Sequence, residues 1–141
     1  MADVFTKQKR SWIMARVHGR DTRPELAVRS MAHRMGFRFR LGGADLPGRP
    51  DLVFPRHRKV VFVNGCFWHG HGKCRRSSRP VTNVAFWRRK LRGNIERDRR
   101  NYRKLARLGW SYLVVWQCQL QSPEAVMLRL GRYLGKRGPA R

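Results

Sequence analysis

Acidic residues are scarce in this chain: 8 Asp and Glu stand against 33 Lys and Arg, a formal net charge of +25. So one-sided a charge needs a partner of opposite sign. Cysteine is scarce too, and its count of three is odd, which excludes the disulfide framework of a small secreted scaffold. Long apolar runs are missing. Residues 60–63 and 113–116 are strand-sized, far below the roughly 20 residues of a membrane-spanning helix. Residues 1–10 carry no apolar signal-peptide core, so a cytoplasmic setting without membrane association is expected. Even core-forming residues are limited: Leu, Ile, Val and Phe supply 33 of 141 positions, just above the roughly 20% at which highly charged chains remain disordered. One domain spanning residues 1–141, with a small core under a cationic surface, is the expectation.

What is abundant is arginine, which provides 26 of the 33 cations. Its planar fork suits phosphate oxygens better than a point charge does. Release of counterions from a neutralised phosphate backbone can supply strong affinity, so nucleic acid leads the candidate partners. A merely soluble surface, or arginine bias in genome composition, are the bland alternatives. Charge alone says nothing about chemistry.

Punctuation along the chain predicts the elements. Residues 8–18 form a short basic segment with Ile13, Met14 and Val17 at helical spacing. Thr22 and Glu25 make a capping box around Pro24, opening a helix through Met35 with Leu26, Ala27, Met31 and Met35 toward the core. Residues 37–41 read as a first strand, and 46–50 as a turn with two prolines. Residues 51–54 and 59–63 read as strands around a short turn, 82–108 as a long helix stopped by Gly109, 111–116 as a buried strand and 123–134 as a last helix. The tail, 135–141, is expected to fray. The order α-β-β-β-α-β-α argues an α/β or α+β domain, helices packed on a mixed sheet.

Three places on this frame could carry chemistry. A turn centred on residue 57 puts Asp51 opposite Val63, so that the carboxylate and the Val63 carbonyl meet at a strand end. Two oxygen ligands plus waters suit Mg²⁺, though Asp51 capping a turn after Pro50 accounts for the spacing equally well. On the long helix, Val84, Leu91, Ile95, Tyr102 and Leu105 form an apolar stripe on which Asp98 also falls, with Lys90 and Asn94 along its edge. An acid on a core-facing stripe is paired, hydrogen-bonded or ligating, because an unpaired buried charge is costly.

The third place is the loop after residue 63. Cys66, His71 and Cys74, with Cys118, have spacing compatible with a Cys₃His zinc site, and equally with free thiols and an ordinary core cysteine. If strand alternation persists through the loop, His69 and His71 point oppositely, leaving His69 free as a general base. Phe67, Trp68 and Trp87 are either half-buried core or wedges that unstack bases.

Several long motifs occur in order: RDT with Glu25, LPGRPD (46–51), NGCFWHGH (64–71), FWRRKLRGNIERDRR (86–100) and LGWSYLVVWQC (108–118). Together they resemble the very short patch repair endonucleases, bacterial enzymes that nick one strand at T:G mismatches. The resemblance implies a restriction-endonuclease-like (PD-(D/E)XK) fold, a single endonuclease domain whose first 20 residues contact DNA, and a structural Zn²⁺ on Cys66, His71, Cys74 and Cys118. It implies Asp51 as catalytic aspartate, holding Mg²⁺ with the Val63 carbonyl. Glu25 and Asp98 would hold waters around that ion, and His69 would be the general base. Phe67, Trp68 and Trp87 would wedge from the major groove, Met14 would insert from the other groove, and Lys90 and Asn94 would read the mismatch. Asn64 stands where the best-known members carry a second active-site histidine, and an amide cannot donate a proton as an imidazolium does. The implied setting is a monomer on the nucleoid, linked to a cytosine-C5 methyltransferase and with MutL as a candidate partner.

Overall fold

The computed structural model describes residues 22–72, 74 and 81–135. Helix α1 (Arg23–Arg34) begins where the sequence marks it. Thr22 is the N-cap, its hydroxyl accepting from the Glu25 amide at 3.3 Å, and proline occupies the first turn. The buried face of α1 is Glu25, Val28, Met31 and Ala32. Leu26, expected toward the core, is 49% exposed. The expected stripe was phased on apolar residues alone, whereas a carboxylate occupies the first buried position.

Residues 37–41 do not form the expected strand. Arg40 exchanges two backbone hydrogen bonds of 2.9 Å with Val53, and this isolated bridge is all the pairing they make. Gly42, in a left-handed conformation (φ 73°), then turns the chain into a single 3₁₀ turn, Gly43–Asp45.

Strands β1 (Leu52–Phe54) and β2 (Lys59–Asn64) pair antiparallel, Leu52 opposite Val61. The register is one residue off the expected one. Four residues, not an odd number centred on 57, separate the strands, and Arg58 at φ 54° closes the turn. Helix α2 (Val84–Arg107) crosses over to β3 (Ser111–Trp116), which pairs parallel to β2 from Lys59↔Ser111 to Asn64↔Trp116. A 3₁₀ segment, Gln117–Gln121, leads into α3 (Pro123–Leu134).

The mixed sheet, in the order β1-β2-β3, carries apolar side chains on both faces. On one face Leu52, Phe54, Val61, Val63 and Val115 pack on α1 and α3, chiefly Val28, Val126 and Leu130. On the other, Val53, Val60 and Phe62 pack under α2 through Leu105 and Tyr102. Alternation along β2 thus feeds two layers of helix. Strand β3, expected to be buried, is half-covered, with only Val115 fully enclosed. The buried ridge of α2 is Trp87, Leu91, Asn94 and Leu105, while Val84, expected on it, is 45% exposed.

Candidate active site and metal centre

The C-terminal end of β2 is where the candidate side chains gather. The Val63 amide donates to Asp51 Oδ2 at 2.6 Å, despite the one-residue difference in register. Asp51 and Glu25 hydrogen-bond through their carboxyls. Burial raises the Asp51 pKa to about 8 from 3.8; the Val63 amide opposes the shift, Glu25 adds to it, and nearby Arg29 lowers it. Two adjacent buried carboxyls are a poor arrangement for the bare protein and a good one for a divalent cation. Glu25 is only 3% exposed, and Arg29 reaches its Oε1 at 3.3 Å, one helical turn on. Arg29 was not singled out from sequence; its i, i+4 spacing from Glu25 was the available signal.

Asp98, expected to hold water around the ion, meets His69. Its Oδ2 lies 2.7 Å from His69 Nδ1, and Arg97 stands 3.9 Å from its other oxygen. A carboxylate accepting from Nδ1–H leaves the Nε2 lone pair free to take a proton. His69 and Asp98 are both partly accessible, at 25% and 16%. Asn64, 4% exposed, donates through Nδ2 to the Tyr102 hydroxyl at 3.4 Å. Burial pushes the Tyr102 phenol up to about 12; the bond from Asn64 opposes this, while the charges of Asp98 and Tyr112 add to it.

The loop does not continue strand alternation. Cys66–Gly70 is a run of turns, closed by His71 N–H to Cys66 carbonyl at 2.9 Å and His69 N–H to Gly65 carbonyl at 3.2 Å. His69 and His71 nevertheless take different partners: His69 meets Asp98 on α2 and Trp116 edge-on at 6.5 Å, while His71 stacks flat on Trp116. The donor atoms of Cys66, His71, Cys74 and Cys118 all lie within 4.8 Å of one another. Cys118 Sγ is 3.5 Å from His71 Nδ1, and the His71 ring stacks on Trp116 at 4.1 Å and 7°. Three sulfurs and one imidazole are a closed tetrahedral donor set. Burial pushes the Cys66 thiol up to about 12, and a bound cation is what would let it serve as thiolate.

Phe67, Trp68 and Trp87 meet in one cluster, with ring centroids 5.2 to 5.9 Å apart. Trp87 is the enclosed member at 5% exposure. Phe86, which sequence reasoning passed over, joins it edge-on at 5.1 Å and is 51% exposed. Asn94 is buried and donates to the Trp68 carbonyl at 3.0 Å, which ties the aromatic turn to α2. Lys90 is exposed one turn before it. Met14 lies outside the described residues.

An acid pair, a carboxylate-oriented histidine and an aromatic cluster, on a chain of charge +25, are the equipment of a DNA-hydrolysing enzyme. Comparison with known proteins agrees. Residues 2–76 match the family described as DNA mismatch endonuclease Vsr. The chain is 47% identical over 134 residues to the type II nicking enzyme V.XorIIP of Xanthomonas oryzae, covering 95% of this chain and 98% of that one. It is 44% identical over 124 residues to DNA mismatch endonuclease Vsr of Escherichia coli, covering 88% and 79% respectively. Against the type II nicking enzyme V.NmeAIP of Neisseria meningitidis, identity is 39% over 132 residues, 94% of each chain. The chain belongs to the Vsr endonuclease family and is a DNA endonuclease, a hydrolase of the phosphodiester bond.

Proposed function

We propose that this enzyme nicks one strand of duplex DNA beside a T:G mismatch, in a Mg²⁺-dependent reaction on a restriction-endonuclease-like fold. The observation that carries the reading is the Asp51 carboxyl, fixed by the Val63 amide and pressed against Glu25. Asp51, with the Val63 carbonyl and with Glu25 beside it, would hold Mg²⁺. When bound, that ion polarises the phosphodiester and stabilises the leaving oxygen.

The chain's own residues do the rest. Nε2 of His69 takes a proton from the attacking water, and Asp98 steadies the imidazolium that results. Water adds to phosphorus in line as the P–O3′ bond breaks, and the departing O3′ takes a proton from solvent, leaving a 3′-hydroxyl and a 5′-phosphate. Asn64 contributes hydrogen bonds and no proton. Phe67 and Trp68 act as the wedge, propped from behind by the enclosed Trp87. A T:G pair stacks less well than a matched pair, so wedging is cheaper there, which gives selectivity. Lys90 and Asn94 flank the wedge, and Met14 enters from the opposite groove. The Cys₃His set takes structural Zn²⁺, so metal analysis is expected to find about one zinc per chain.

Two of the relatives named above are called type II nicking enzymes, which favours a second reading, nicking in a different sequence context. Duplexes carrying T:G or C:G at one position decide the matter. Preferential cutting of T:G is expected; equal cutting of both sinks mismatch specificity. Asp51→Ala is expected to bind duplex but not nick it in Mg²⁺, and retained nicking would remove Asp51 from the reaction.

A further inference from the structure

Asn64 closes β2 with its amide on the α2 side of the sheet, donating to the Tyr102 hydroxyl at 3.4 Å. Tyr102 is a stiff partner. Its ring lies flat on Tyr112, 4.3 Å between centroids and 9° from parallel, and meets Phe62 edge-on at 5.3 Å. Asp98 sits one turn earlier on the same face of α2, at i, i+4 spacing. Asp98 in turn holds His69 at 2.7 Å. His69, Asp98, Tyr102 and Asn64 therefore form one polar strip along α2, ending beside Val63, whose amide holds Asp51.

A primary amide has a donor end and an acceptor end, and without a partner either can face a substrate. Here the donor end is engaged: Nδ2 of Asn64 donates to the phenol oxygen of Tyr102 at 3.4 Å. That bond commits Nδ2 to Tyr102 and leaves Oδ1 as the end that can accept. We propose that Tyr102 is a positioning residue for strand cleavage, fixing the Asn64 amide so that its Oδ1 accepts a hydrogen bond from the attacking water. This rests on the nicking reading above and assigns Tyr102, which neither motif nor burial singled out, to the reaction.

The test uses the full-length protein. Tyr102→Phe keeps both ring contacts and is expected to leave the melting temperature nearly unchanged. Single-turnover nicking of a T:G duplex is expected to slow about tenfold, with duplex affinity unaltered. Asn64→Ala should slow it similarly, and the double variant should be no slower than Asn64→Ala alone. Wild-type nicking by Tyr102→Phe, or losses that multiply in the double variant, overturns the proposal and leaves the nicking reading standing. A second measurement needs no cleavage. The Asn64 side-chain amide protons should exchange faster with solvent in Tyr102→Phe, by NMR, and unchanged exchange overturns the positioning role. A wild-type protein that nicks no duplex refutes the nicking reading, while the amide measurement still decides whether Tyr102 holds Asn64.

Discussion

At the scale of single residues, the acid pair is a site whose stability and chemistry oppose each other. Asp51 has a pKa of about 8 in the folded chain against 3.8 when unhindered, mainly because it is buried. The folded state therefore binds more protons than the unfolded state between those values. Its stabilising contribution is fully present below about pH 4 and is lost as the pH rises through about 8. Metal-free protein is expected to melt at a lower temperature at about pH 8.5 than at about pH 5 for this reason, although other groups also titrate in that window. Asp51→Asn separates the contributions. Its Oδ1 can still accept from Val63, and its amide can donate to Glu25, so it relieves the penalty without opening a gap. We expect that variant to gain on the order of 3–5 °C at the higher pH and almost nothing at the lower, with nicking abolished. Mg²⁺ should stabilise the wild type at about pH 8.5 and have little effect on the variant. Thermal melts at both pH values, with and without Mg²⁺, check this. An equal gain at both pH values would mean that the acid pair is not strained by charge.

At the scale of elements, the turn Cys66–Gly70 serves two masters, since His69 leaves it for Asp98 and His71 for the cysteine cluster. Gly70 makes this possible: its φ is 61°, and an added Cβ would stand 2.5 Å from Ile95 Cδ1 on α2. Gly70→Ala is expected to cost about 2 kcal/mol, part backbone strain and part collision. Adding Ile95→Val should recover the collision part only, and denaturant unfolding of the single and double variants measures the split. Elements bounded by strong local chemistry were legible in the sequence: the Thr22 cap, the Gly109 stop and the Pro123 start mark real helix ends. The grouping of Cys66, His71, Cys74 and Cys118 was legible as well, because their spacing already suggested a common site. What failed depended on tertiary context. The register of β1 on β2 hung on a turn length that spacing does not fix. On α1 Met31 is buried and Met35 packs on the core as expected, but a charged residue, Glu25, is buried where Leu26 beside it is exposed. Periodicity marks Asp98 as needing a partner, but that partner, His69, lies 29 residues away and periodicity cannot identify it.

At the scale of the whole molecule, a charge of +25 raises the question of which cations meet DNA, since they cannot all contribute equally. Helix α2 turns a long row of exposed cations to solvent, from Arg88 near the aromatic cluster to Arg107 at its far end. At 1.5 Å per residue those two lie about 28 Å apart, several times the roughly 8 Å over which salt screens exposed charges. If the aromatic cluster enters the duplex, Arg88 falls within reach of its phosphates, and Arg107 acts only through the screened field. Neutralising Arg88 should therefore weaken binding to T:G and C:G duplexes alike and lower the slope of log affinity against log salt by about 1. Neutralising Arg107 should leave that slope unchanged. Preference for the mismatch should survive both changes, because phosphate contacts position the protein and carry no base information. Affinity for the two duplexes across a salt series, for Arg88→Gln and Arg107→Gln, tests the assignment. Equal slopes for the two variants would mean that the aromatic end of α2 is not the end that docks.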